Sequence, residues 1–335
     1  MLADNDGWVR NFGLYVPRTG RAFGQGHHLL AWELNRRAGF SGSEQFDALS
    51  HELAKANYPD RIVLSSEEFS SRIHLPKVIA RLRRKVERLD YQLRIVGYIR
   101  PQETAVQSMY TQRLKIWAVT SDFDTFWPTA IGNRRLNYEK RFAALLEARN
   151  IQVNLYPFCR DTVGQGLCRH FLSVLGIPPD ALAKFIEPPP SNVSPGPKTV
   201  AAAIAIAREL EKRDLRVNKE NLEAGALLFR GFSKLIDADS SKFSALTPEI
   251  AQHIRGHFRE SNGRFAARAF DCDWDRVFAA ELASEPRLNV FLRACAAPEE
   301  QREFDHFVAT MTEAIVKFWA DEGKVPNSPV LASGH

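Results

Sequence analysis

Apolar residues recur along the first half of the chain with two alternating periods. Short runs with strand character lie at 61–65, 93–99 and 151–156. Between them, apolar residues return every three or four positions and predict helices over 27–38, 43–57, 76–89, 138–150 and 166–175, with a further helix after Pro101. The helix over 43–57 places Phe46, Leu49 and Leu53 on one face behind Ser43 as a cap, and Gly176 stops the helix over 166–175. Strands alternating with helices predict an α/β fold, a parallel sheet flanked by helices on both faces. The opening residues read as loop. At 187–197 the composition shifts to a run holding three consecutive prolines, which is extended. The pattern after it is helical throughout: 198–213, 219–235, 247–260, 274–283 and 299–322, with a frayed end at 327–335.

The strand over 93–99 leads into Arg100, then Pro101, then a helix whose second turn carries Ser108, eight residues after the arginine. That path aims a guanidinium and a hydroxyl at one point above the carboxyl edge of the sheet, where open α/β sheets bind ligands. An arginine and a serine make a suitable pair for one phosphate.

An arginine at a strand end with a serine eight residues on resembles the 3′-phosphate-binding motif of sulfotransferases. Further segments resemble a bacterial sulfotransferase-like family in order and spacing: His27-His28-Leu29-Leu30-Ala31, Val63-Leu64-Ser65-Ser66-Glu67, Tyr98-Ile99-Arg100-Pro101-Gln102, Ser191-Asn192-Val193-Ser194-Pro195 and Arg259-Glu260-Ser261-Asn262-Gly263-Arg264-Phe265-Ala266. The resemblance implies a P-loop-like parallel sheet in residues 1–190 and a Pro-rich connection with a helical C-terminal part of the same domain in 191–335. It also implies transfer of a sulfuryl group from 3′-phosphoadenosine-5′-phosphosulfate (PAPS) to a hydroxyl acceptor on a carbohydrate or other polar metabolite. Arg100 and Ser108 would hold the 3′-phosphate, and Glu67 or His28 would take the acceptor proton. Ser194 and Lys198 fall where the family's loop crosses the nucleotide, although Asn192 and Ser194 read better as a structural turn.

The family's first strand and its Lys- and Thr-rich loop, which cradles the 5′-phosphosulfate on backbone N–H groups, have no match. Arg18-Thr19-Gly20-Arg21 and Gly24-Gln25-Gly26 lack the lysine and read as loop. The expectation is therefore an N-terminally incomplete core, with an unpaired sheet edge beside the strands ending near Ser65 and Arg100. Activity then requires that the loop be supplied. The alternative is a non-catalytic remnant or scaffold that binds no donor.

The residues also carry plainer readings. Glu67 and Glu68 suit the first turn of a short helix, and a histidine at a helix start often satisfies local backbone, which competes with a role for His28 as base. Lys77, Arg81, Arg83, Arg84, Lys85 and Arg88 read as a solvated helix face behind an apolar stripe, since no aromatic residue interleaves them and Glu87 interrupts the run. Nucleic acid is accordingly not expected as a partner. Arg113 and Lys115 read as solvated too. The chain carries 45 basic and 40 acidic residues, a mild excess that suits a polyanionic nucleotide and excludes a histone-like binder. The four cysteines have no metal-ligand spacing, so no metal is expected and reduced thiols in a cytoplasmic protein are. No secretory signal and no membrane-spanning run is predicted.

Overall fold

The computed structural model describes residues 6–22, 26–40, 42–188, 194–215, 229 and 241–321. The helix expected over 219–235, the segment Ser191-Asn192-Val193 and the chain end at 327–335 lie outside these residues, apart from Phe229. In chain order the elements are α1 (Asp6–Arg10), β1 (Leu14–Tyr15), α2 (His28–Leu34), α3 (Glu44–Lys55), β2 (Arg61–Ile62), a 3-10 turn (Glu67–Ser70), α4 (Pro76–Glu87), β3 (Arg94–Ile99), α5 (Gln102–Leu114), α6 (Phe123–Ala130) and α7 (Tyr138–Leu146). They continue with β4 (Gln152–Pro157), α8 (Arg160–Val163), α9 (Leu167–Val174), α10 (Pro179–Ala183), α11 (Pro197–Lys212), α12 (Pro248–Phe270), α13 (Trp274–Val277), α14 (Ala279–Ala283) and α15 (Pro298–Asp321). The fold is mixed α/β and mostly helical. Among the described residues the strands form two separate parallel pairs. β1 pairs with β2, Leu14 opposite Arg61, and β3 pairs with β4 in register from Arg94 opposite Gln152 to Ile99 opposite Pro157.

The pairing of β1 corrects the reading of the opening as loop. Val9, Leu14, Tyr15 and Val16 are all buried, so the start of the chain supplies both a short helix and a strand beside β2. The apolar run was too brief to register as periodic. Three other differences have local causes. Asp122, whose carboxylate accepts the Thr125 N–H at 2.9 Å, starts α6, a helix the pattern did not announce because Pro128 lies inside it. The helix expected to end at Glu260 runs on through Ser261-Asn262-Gly263 to Phe270, with Ser261 and Asn262 buried. The helix expected over 274–283 breaks at Phe278.

The chain divides into two compact units, each woven from three stretches. The first comprises Met1–Arg100, Arg134–Pro189 and Arg259–Ala283, and holds both strand pairs. Around β1 and β2, helices α2, α3 and α4 bury Leu30, Leu34, Phe46, Leu49, Leu53, Val78 and Leu82 in one cluster. The positions come straight from the sequence periodicity, and Pro76 opens α4 at its first turn, where its missing N–H costs nothing. Around β3 and β4 an aromatic-rich cluster gathers Ile99, Tyr138, Phe142, Leu155, Phe265, Trp274 and Phe278. The rings of Tyr138 and Phe265 lie 5.7 Å apart and those of Trp274 and Phe278 4.4 Å apart, both pairs tilted.

The second unit comprises Pro101–Asn133, Pro190–Phe258 and Ser284–His335, and its described elements are all helical. Tyr110 is its centre: fully buried, with Phe126, Phe123 and Phe243 rings at 5.1, 5.3 and 5.9 Å. Helix α11 packs its alanine-rich face (Ala202, Ala203, Ile206) along α15, which contributes Ile315 and Trp319. Small residues there let the two helices approach closely. Among the described residues no helix is long and apolar enough to cross a membrane.

Candidate functional site

Because β1 and β2 are parallel, both carboxyl ends fall on one edge, and the segments leaving them are tied there by His27. The His27 N–H donates to the Ser65 carbonyl (2.8 Å), and the Ser65 N–H donates to His27 Nδ1 (3.0 Å). Nδ1 must then be unprotonated, so Nε2–H donates to the Pro17 carbonyl at 3.0 Å. Burial pushes the His27 pKa down, outweighing the raising effect of its bonds with Pro17 and Ser65. This histidine is a neutral strut, and both ring nitrogens are engaged.

Its neighbour His28, the first residue of α2, lies with Nδ1 2.8 Å from Ser66 Oγ. Ser66 Oγ also accepts the Glu68 N–H at 3.1 Å and so caps the 3-10 turn that begins at Glu67. Gly26 makes room for the imidazole, since a Cβ there would stand 2.7 Å from His28 Nε2. Glu67 is exposed on the first residue of the same turn. The structure thus joins His28 to the serine that precedes Glu67. Sequence reasoning passed over Ser66; its signal was the Ser-Ser-Glu start of a capped turn.

The stretch Arg18-Thr19-Gly20-Arg21 follows a buried strand and leads towards α2, so a strand, loop and helix do occur in that order, contrary to expectation. Its donors, however, point inward. The N–H groups of Arg18 and Thr19 donate to Glu52 Oε1 and Oε2 at 2.8 and 2.7 Å, and Tyr15 O–H donates to Oε1 at 2.8 Å. Burial raises the Glu52 pKa, but the hydrogen bonds from Thr19, Arg18 and Tyr15 outweigh it and hold the carboxyl at about 2. Arg21 binds the carbonyls of Pro17 (2.7 Å) and Val16 (2.8 Å). These residues do not fit a 5′-phosphosulfate, because their own carboxylate occupies the N–H groups and no lysine is present among them.

At the other parallel pair, Arg100 follows the last residue of β3. Its carbonyl accepts Tyr138 O–H at 3.0 Å, and its guanidinium lies 4.9 Å over the ring of Phe158, which follows β4. Among the described residues no carboxylate pairs with it. Beyond β4 opens a cleft of about 580 Å³ lined by Cys159, Asp161, Thr162, Arg268 and Asp271 among others. In the same pair, Tyr98 Oη lies 2.8 Å from His170 Nδ1; burial pushes the tyrosine pKa up and the histidine pKa down.

Ser108 belongs to the second unit. It is half-buried on α5, and its carbonyl accepts the Thr111 hydroxyl at 3.1 Å. On the same helix Glu103 receives Arg255 Nε at 2.7 Å, Arg113 lies 5.6 Å over the Phe126 ring, and burial pushes the Lys115 pKa down. Lys198 forms an ion pair with Glu300 and lies 5.5 Å over Phe291, while Ser194 is exposed. Among the described residues no group of three or more His, Cys, Asp or Glu side chains could hold a metal ion.

No family model, no curated protein and no solved structure matches this chain.

Proposed function

We propose that this chain is a sulfotransferase-like protein of P-loop-like fold that holds the 3′-phosphate of a PAPS-type nucleotide at Arg100. The observation that carries the reading is the state of that side chain: a guanidinium at the carboxyl end of a parallel strand, braced on Phe158 and unpaired with any carboxylate among the described residues. An arginine so placed has its donors available for a dianion. Ser108 enters the reading through the sequence pattern alone. On the acceptor side, where the resemblance implies a hydroxyl of a carbohydrate or polar metabolite, His28 with Ser66 behind it is the better-organised base, and Glu67 is the second candidate. The setting is cytoplasmic, in keeping with four cysteines that form no disulfide.

One observation favours the second reading, a non-catalytic relative. The loop after β1 satisfies its N–H groups with Glu52, so no transfer step is assigned to the described residues. Calorimetric titration with adenosine 3′,5′-bisphosphate separates the readings. Binding that weakens at least tenfold in Arg100→Ala, the effect of losing one charge-assisted contact, is expected, together with no sulfation of a sugar panel above background. Absence of nucleotide binding by the unmodified chain would leave only the remnant. Robust turnover would show that another segment replaces the cradle.

A further inference from the structure

A second basic site lies in the first unit, and no part of the reading above uses it. Three residues of α4 and its C-cap, spaced at i, i+3, i+4 and i+7 (Arg81, Arg84, Lys85 and Arg88), line one side of a cavity of about 230 Å³, and Arg36, just past α2, lines it from another element. Five cations face one carboxylate. That carboxylate, Glu33, is only 4 % exposed and already engaged: Oε2 accepts the Gln45 N–H at 2.6 Å, and Oε1 lies 3.4 Å from Lys85 Nζ.

Of the cations, Arg81 and Lys85 are held in place, while Arg36, Arg84 and Arg88 are exposed. Arg81 donates through Nη1 to the Leu34 carbonyl, which fixes the guanidinium and leaves its other N–H groups for a ligand. Lys85 lies 5.0 Å over the Phe46 ring. The acid on α4, Glu87, is taken by Arg83 at 3.3 Å, and Arg83 does not line the cavity. Arg36, Arg84 and Arg88 have no carboxylate partner among the described residues. Burial pushes the Arg81 pKa down, and the charges of Arg36 and Arg84 act in the same direction. Although Arg36, Arg84 and Arg88 are exposed, all five charges line one concavity.

We infer that the cavity formed by Arg36, Arg81, Arg84, Lys85 and Arg88 is a phosphate-binding site for a compact dianion, either inorganic phosphate or the terminal phosphate of a small ester. A concave site of this size suits one phosphate group held by several guanidinium donors, whereas a duplex presents a row of phosphates too long for a cavity of about 230 Å³ to enclose.

The test is calorimetric titration of the full chain at low ionic strength with inorganic phosphate, glycerol 3-phosphate and a 12-base-pair DNA duplex. Arg84 and Arg88 are exposed and unpartnered, so Arg84→Ala and Arg88→Ala should leave the fold intact. Lys77→Ala, on the same helix but outside the cavity, is the control. Each arginine variant is expected to weaken phosphate binding roughly tenfold, as loss of a charge-assisted hydrogen bond does, with Lys77→Ala within about twofold. Tighter binding of the ester than of phosphate assigns the site to a phosphorylated metabolite; equal binding assigns it to the free ion. No binding of either, an equal loss in Lys77→Ala, or duplex binding that phosphate fails to displace would overturn the inference. Arg100→Ala should leave this titration unchanged, so the outcome does not depend on the nucleotide reading.

Discussion

The N–H of Thr19 donates to Glu52 Oε2 at 2.7 Å, which ties the segment leaving β1 to the last turn of α3. A carboxylate from a neighbouring helix stands where a strand–loop–helix unit would otherwise present N–H groups to an external anion. The contact fixes the loop and closes it at once.

Stability should register that carboxylate through pH. The folded Glu52 titrates at about 2, below its ordinary 4.5, so the unfolded chain takes up the proton first on acidification. The contribution is therefore complete above about pH 4.5 and lost as pH falls towards 2. In urea unfolding, Glu52→Gln is expected to be less stable at neutral pH, by on the order of 2 kcal/mol for a charged acceptor. Its stability should also fall less than that of the unmodified chain between pH 5 and pH 2.5. Parallel curves for the two proteins would refute the assignment.

His27 acts with the same sign at higher pH. Its pKa is lowered in the fold, so protonation favours the unfolded chain, and the stability it contributes is present above about pH 6.5 and declines below it. His74 and His170 are also lowered, each mainly by burial, and add to the same slope. The measurement is a histidine titration by NMR, in which the His27 ring signals should remain neutral through pH 6.5. His27→Gln should then unfold earlier at pH 7.5 but lose less on going to pH 5.5.

Two glycines should respond with opposite sign. Gly166 precedes α9 at φ +112°, and a Cβ there would come 2.4 Å from the Glu187 carboxyl, which accepts the N–H groups of Cys168 (2.8 Å) and Arg169 (3.0 Å) at the helix start. Gly166→Ala is expected to cost about 1–3 kcal/mol. Gly256 is an exposed interior residue of α12 with open space where a Cβ would go, so Gly256→Ala should gain about 0.5–1 kcal/mol. Chemical denaturation of the two variants checks both.

The elements most legible in the sequence are those with a long apolar stripe. α3, α4 and α11 lie within one or two residues of their predicted ends, because Phe46, Leu49, Val78, Leu82, Ala203 and Ile206 recur at helical spacing and each faces a core. β1 was hidden because two residues carry no period, and its burial is decided by partners some fifty positions away at Arg61 and Ile62. Arg100 was legible as a strand end. The Glu52 and Ser66 contacts were not, since a carboxylate that caps a distant loop looks in sequence like any exposed helix acid. The basic run on α4 is legible as a solvated face, and Lys77, Arg84 and Arg88 are exposed; nothing in its spacing reveals that Arg36 lines a cavity beside it.

The threading of the first unit has a consequence for how the chain comes off the ribosome. Ile79, Ile99 and Tyr138 share a buried cluster with Phe265 and Phe278, and the latter two belong to the stretch Arg259–Ala283. At about 5–20 residues per second, the apolar faces made first wait on the order of ten seconds for residues synthesised about 160 positions after Ile99. During that interval β3 has either no partner or only β4, and the aromatic cluster lacks Phe265, Trp274 and Phe278, three of its five buried rings. The nascent chain is thus most vulnerable to aggregation in a window set by topology, and the last helical segment of this unit closes it.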